Sequence, residues 1–149
     1  MKILIVNGPN INFLGIREPA IYGATTYDEL CGKLRGWCEE AGAECLLFQS
    51  NHEGAIVDRI QAAYFEKVDG IVMNPAAYTH TSVAILDALK ATAIPTVEVH
   101  ISDVSKREAF RSHSYVALAA CHRIIGHGID GYREGIEWLA DYLRGRDAG

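Results

Sequence analysis

The sequence predicts a doubly wound α/β protein, with a five-stranded parallel sheet between two helical layers. Three observations lead there. Five short apolar runs, the first being Ile3-Leu4-Ile5-Val6, lack the polar alternation of a one-sided sheet, as strands covered on both faces do. Longer amphipathic segments separate them, the alternation that builds strand–helix–strand units. The chain has 149 residues and 49% apolar content, which suits one core and one domain.

The elements follow in order. The first strand stops at Asn7-Gly8-Pro9-Asn10, and a long polar loop runs to about Thr25. Thr25 or Thr26 caps a helix to about Ala41, with Leu30, Leu34, Trp37 and Cys38 on one face, and Gly42 ends it. The second strand spans Glu44 to Gln49. The second helix runs from Gly54 to about Phe65, aligning Ile56, Val57, Ile60 and Tyr64. Gly70-Ile71-Val72-Met73 is the third strand, stopped by Asn74-Pro75. Thr81 or Ser82 opens a third helix carrying Val83, Ile85, Leu86 and Leu89. Pro95 precedes the fourth strand, Thr96 to Val99. A polar segment, a short helix over Val116 to Ala120, and a fifth strand from Arg123 to Gly126 follow. The last helix runs from Tyr132 to Leu143, and the tail from Arg144 is expected to fray. At this length the flavodoxin-like arrangement, three layers deep, fits best.

Composition excludes several function classes. Nineteen acids against fourteen bases give a net charge of −5, the wrong sign for nucleic acid or an anionic membrane. No apolar run approaches the length of a membrane span, and the start lacks the features of a secretory leader, so the cytoplasm is expected. Cys31, Cys38, Cys45 and Cys121 form no C-x-x-C pair, and the six histidines fall in no metal motif, so no metal is expected.

In a sheet of this kind, ligands bind at the carboxyl ends of the strands. Unusual polar residues gather at four such ends: Asn7, Asn10, Asn12, Arg17 and Tyr22; Ser50 to Glu53; Asn74, Tyr78, Thr79 and His80; and His100 and Ser102 with Arg107 and Arg111 beyond. Gly126-His127-Gly128-Ile129-Asp130-Gly131 spells G-x-G-x-x-G. A dinucleotide fingerprint also needs a further strand and an acid about 20 residues on, so these glycines are expected to serve a tight turn and close helix packing. A phospho-receiver would carry acids after the first and third strands, where this chain has Asn7 and Asn74.

Five stretches together resemble the type II 3-dehydroquinate dehydratases. They are Asn7 through Gly23; Gln49-Ser50-Asn51-His52-Glu53-Gly54; Asn74 through Ser82, leading into Ile85-Leu86-Asp87-Ala88-Leu89; Glu98-Val99-His100-Ile101-Ser102 after Pro95; and Arg107-Glu108-Ala109-Phe110-Arg111 with Ser114. The resemblance implies a flavodoxin-like domain over residues 1–149, no cofactor, and a dodecamer of four trimers. It implies trans dehydration of 3-dehydroquinate to 3-dehydroshikimate, as in aromatic amino acid biosynthesis (the shikimate pathway) or quinate breakdown.

The residues suit that chemistry. A water beta to a ketone leaves once the alpha carbon loses a proton, the enolate is stabilised and the leaving hydroxyl is protonated. By resemblance Tyr22 is the base and Arg17, in the same loop, the charge that makes a tyrosine basic enough. His100 is the general acid, oriented by Glu98 if the strand continues that far, and Asn10 holds a water at the enolate oxygen. Asn74 orients His100 and binds a substrate hydroxyl, as His80 and Arg111 do; the Ile101 and Ser102 amides with the Ser102 hydroxyl grip the carboxylate. Asp87 reaches a neighbouring subunit's site, and residues 17–25 form a lid. Departures from the pattern include Ile11 for Leu, Asp103 for Asn, Ser105 for His or an aromatic residue, Leu118 for Pro, and Cys121-His122 where Gly is common. Asp103 is expected to weaken anion binding unless it is paired or points away.

Overall fold

β1 (Lys2–Asn7) lies at the centre of the sheet, which is built outward from it. It pairs in parallel with β2 (Glu44–Gln49) on one side and β3 (Gly70–Asn74) on the other. β4 (Thr96–His100) and β5 (His122–Ile125) continue the sheet, in the order β2-β1-β3-β4-β5 with every pair parallel. The strand order reverses between β1 and β3, which opens a crevice at their carboxyl ends. The topology is flavodoxin-like. The computed structural model describes residues 1–148, and the side chains of all of these except Tyr22 and Ala148.

Strand alternation divides the core into two layers. Ile3, Ile5, Val72, Val97 and Val99 pack with Leu30 and Leu34 of α2 (Tyr27–Glu40) and with Tyr132, Ile136 and Leu139 of α5 (Asp130–Ala148). Leu4, Val6, Ile71 and Met73 pack with Ile56 and Ile60 of α3 (Glu53–Phe65) and Ile85 and Leu89 of α4 (Val83–Thr92). Each fully buried aliphatic side chain contributes about 1.5–3 kcal/mol of transfer free energy, so the five apolar runs supply most of the drive to fold.

Caps fix where the helices begin. Thr26 rather than Thr25 caps α2, its hydroxyl accepting from the Glu29 amide at 3.2 Å. Ser82 rather than Thr81 caps α4, accepting from the Ile85 amide at 2.9 Å. The polar loop after β1 contains a four-residue helix, α1 (Pro19–Tyr22), opened by proline at its first position and closed at Gly23. Residues Val116–Leu118 form a single 3-10 turn.

Two expectations are corrected. The last helix does not end at Leu143: α5 runs on to Ala148. Arg144 donates to the Ala41 carbonyl at the end of α2, and the Arg146 guanidinium sits over the Tyr142 ring, so side chains anchor the final turns. Tyr64 and Val83, read as core-facing, are exposed; Ala63 and Ile85 take the buried positions of those turns. Among the described residues, no helix is long and apolar enough to cross a membrane.

Candidate active site

The carboxyl ends of β1, β3 and β4 surround a cleft of about 280 Å³. Its first wall is the turn after β1. Gly8 donates its amide to the Asn74 carbonyl at 2.8 Å, and a Cβ there would lie 2.4 Å from the Pro75 carbonyl oxygen. Only glycine permits that approach. The turn then carries Asn10 into the cleft in a left-handed conformation (φ 69°) that asparagine tolerates better than most residues. The Asn10 amide donates to Asn51 Oδ1 at 3.0 Å, and Gln49 Nε2 contacts Gly8 O, Asn12 Oδ1 and Asn51 Oδ1 at 3.1–3.3 Å. The Gln49-Ser50-Asn51 stretch therefore braces the Asn10 turn from behind and does not line the cleft.

The second wall is the end of β4. The strand extends one residue past the expected limit, so Glu98 and His100 share a face, and His100 Nε2 contacts Glu98 Oε2 in a very short hydrogen bond. Both are buried, Glu98 completely. The Glu98 carboxylate also accepts from the Ser114 hydroxyl at 2.9 and 3.1 Å, and from Arg123 Nε at 3.0 Å and Nη2 at 3.3 Å. Burial opposes ionisation of Glu98, but the bonds and charges of His100 and Arg123 outweigh it and hold the carboxyl below its usual range. Beyond His100 the backbone of Ile101 and Ser102 lines the cleft. The glycine-rich turn after β5 pins this segment: Gly126 and Gly128 donate their amides to the carbonyls of His100 and Ile101 at 3.1 and 3.0 Å. Both glycines have positive φ, so the G-x-G-x-x-G run serves a tight turn.

Three arginines complete the lining: Arg17, Arg107 and Arg111. Glu18 Oε2 lies 3.7 Å from Arg17 Nε and 4.0 Å from Arg107 Nη2, and Arg111 Nε pairs with Glu108 at 2.5 Å. Arg107, placed by the sequence among the polar residues beyond the fourth strand but given no individual role, lines the cleft beside Arg111. His80 Nδ1 bonds the His113 carbonyl at 2.7 Å. Burial, then the charges of His100 and Arg111, pull its pKa down, so the ring favours its neutral form. A cleft this rich in cations suits an anionic small molecule, although the whole chain is acidic.

The remaining predicted residues are distributed as follows. Asn74 lines the cleft but faces the α5 layer, on the side of the sheet opposite His100. Its Nδ2 donates to the Tyr132 hydroxyl at 2.9 Å and its Oδ1 accepts from the Ala76 amide at 3.1 Å. Of the two groups expected to orient His100, Glu98 contacts it, and Asn74 bonds Tyr132 and Ala76 instead. Tyr132 in turn donates to Asn7 Oδ1 at 2.7 Å, a buried link that sequence reasoning missed because Tyr132 is 125 residues from Asn7. Asp87 is exposed on α4, away from this cleft. The Tyr22 side chain lies outside the described residues. Asp103, the departure next to Ser102, is paired: it accepts from the Ser105 amide at 3.1 Å and hydroxyl at 2.5 Å, and Lys106 lies 3.7 Å away. Ser105, itself a departure, supplies the bonds that hold Asp103 low in pKa. Among the described residues, no group of three His, Cys, Asp or Glu side chains could hold a metal ion.

A flavodoxin-like α/β domain with an arginine-lined cleft and a buried carboxylate–imidazole pair at its strand ends defines a small-molecule enzyme acting on an anion. Comparison with known proteins makes this specific. The family model for dehydroquinase class II matches residues 1–140. A 3-dehydroquinate dehydratase of Carboxydothermus hydrogenoformans is 50% identical, over 99% of this chain and 95% of its own. A catabolic 3-dehydroquinase of Aspergillus terreus is 55% identical, over 93% and 91%. The crystal structure of a type II dehydroquinase from Butyrivibrio crossotus superposes with a TM-score of 0.92 at 51% identity, covering 93% of this chain and 97% of that one. The chain belongs to the class II dehydroquinase family.

Proposed function

We propose that the protein is a cofactor-independent lyase, one catalytic domain that dehydrates 3-dehydroquinate to 3-dehydroshikimate through an enolate. The observation that carries this reading is the buried Glu98–His100 pair opening on a cleft lined by Arg17, Arg107 and Arg111. The tyrosinate of Tyr22 takes a proton from the carbon alpha to the ketone, and the electron pair moves into the enolate. A tyrosine titrates near 10 unless positive charge stabilises its anion, and Arg17, in the same loop, supplies that charge. A water held by Asn10 donates to the enolate oxygen. Protonated His100 then gives its proton to the departing hydroxyl; the carbon–oxygen bond breaks, water leaves and the enolate electrons form the new double bond. The Ile101 and Ser102 amides and the Ser102 hydroxyl hold the substrate carboxylate, while Asn74, His80 and Arg111 bind its hydroxyls.

The same reading makes residues 17–25 a lid that closes over substrate and excludes water. It places the protein in the cytoplasm, which the four unpaired cysteine thiols support. It makes the assembly a dodecamer of four trimers in which Asp87 completes a neighbour's site, and its exposure on α4 supports that role. The test of the activity is the rise in conjugated-enone absorbance when protein meets 3-dehydroquinate. Tyr22→Phe is expected to fold and to lose most turnover, roughly 100-fold or more given the usual contribution of general acid–base groups. Near-wild-type kcat in that variant refutes the assignment of the base, and light scattering at the mass of a single chain refutes the assembly.

A further inference from the structure

The Glu98–His100 pair has a third member. Glu98 and Arg123 are register partners on the parallel strands β4 and β5, so their side chains leave the sheet on the same face. The Arg123 guanidinium grips both carboxylate oxygens, at 3.0 and 3.3 Å, while His100 takes one of the same oxygens. Ser114 supplies the remaining, neutral bonds. We infer that Arg123 is a positioning residue for the reaction: acting through Glu98, it sets how tightly His100 holds the proton it gives to the leaving hydroxyl.

The physical argument is one of charge. A fully buried carboxylate against an imidazole favours imidazolium strongly, and an acid that holds its proton too tightly transfers it poorly. A guanidinium on the opposite side of that carboxylate offsets its field without taking the bond to His100. Arg123 cannot lose its own proton in the working range, so its effect is constant with pH. The other charged groups near the pair lie toward the cleft: His80 interacts electrostatically with both its members, and Arg17, Arg107 and Arg111 line the same space. Met73 is the β3 neighbour of Glu98, and the opposite face of β4 presents Val97 and Val99 to α5. Arg123 is thus the cation in direct contact with Glu98, on the side away from substrate.

The inference rests on the dehydration reading, in which His100 is the acid, and the test separates the two. Arg123→Gln removes the charge and keeps a donor; Arg123→Lys keeps the charge and loses the two-pronged grip. Removing a positive charge raises the proton affinity of the pair whichever member carries the proton, so the sign is fixed. An ion within about 4–6 Å shifts a titration by about 1–3 units, and Arg123 is about a third exposed (36%), which favours the low end. The basic limb of kcat/KM is expected to move up by about one pH unit in R123Q and to stay with the wild type in R123K. The His100 ring-proton resonance, assigned by its loss in His100→Asn, is expected to titrate with the same displacement in the absence of substrate. Should R123Q not fold, Arg123→Met is read in the same way. A limb and a resonance that stay in place in the neutral variant overturn the inference, and so does lost activity accompanied only by a lower Tm. Failure of the wild type to convert 3-dehydroquinate would overturn the dehydration reading instead, and the resonance would still test Arg123.

Discussion

Tyr132→Phe removes one oxygen atom from the base of the cleft, and the structure allows its cost to be worked out. Tyr132 is fully buried, and its hydroxyl joins Asn7 Oδ1 at 2.7 Å to Asn74 Nδ2 at 2.9 Å. Those asparagines are paired residues at the ends of adjacent strands and are themselves almost wholly buried. Phenylalanine fills the same ring volume, so packing is kept and the two hydrogen bonds are the whole perturbation. Leaving a buried donor or acceptor unmet costs about 1–3 kcal/mol. Two such groups, with some relaxation, give about 2–4 kcal/mol, which at about 2–4 °C per kcal/mol for a chain near this size lowers Tm by roughly 4–16 °C. Urea unfolding measures the first quantity and differential scanning calorimetry the second. Because Asn74 lines the cleft, KM for 3-dehydroquinate is expected to rise as its amide loses one anchor. A Tm within about 1 °C of wild type would show that the network is not worth what its burial implies, and would refute the reasoning.

Other expectations follow from the same contacts. Glu98 titrates below its unfolded value, so its contribution is fully present above about pH 4.5 and is lost as pH falls through its folded value; Glu98→Gln should flatten the acid side of a stability–pH curve obtained by urea unfolding. Burial raises the Tyr132 hydroxyl above its ordinary value, so its contribution is present below about pH 10 and is lost as pH rises beyond that; alkaline melts of Tyr132→Phe should show a shallower decline than the wild type. Gly8→Ala would set a methyl 2.4 Å from a backbone oxygen that cannot swing aside; a loss of about 3 kcal/mol or more, measured by urea unfolding, is expected. Asp103→Asn should change KM for 3-dehydroquinate by less than about twofold, since the carboxylate is already bonded by Ser105 and approached by Lys106; a large fall in KM would show that the charge reaches the site.

Much of the fold could be read from the chain because its strands are continuous apolar runs. Ile3 to Val6 can be buried on both faces only in a covered parallel sheet, and the helices between such runs dictate the crossovers. The glycine-rich turn was likewise legible as a tight turn, and Gly126 and Gly128 have positive φ there. Boundaries were less secure. β4 gains His100 and α5 gains its last turns from contacts made by distant residues. Period alone could not tell that Tyr64 and Val83 point outward, because a helix stripe has edges and only the sheet beneath decides where they fall.

The sequence by itself determined the α/β class and the set of polar residues gathered at the carboxyl ends of the strands. It did so because periodicity, caps and motif spacing are local properties carried by neighbouring residues. Tertiary structure alone decided which of those side chains meet. Asn74 and His100 stand on opposite faces of the sheet, so of the two partners expected for His100 only Glu98 meets it, while Tyr132 holds the Asn74 amide. Arg123 reaches Glu98 from 25 residues away because parallel register makes them neighbours. Contacts of this kind depend on strand pairing and sheet face, which form only when the whole chain has folded.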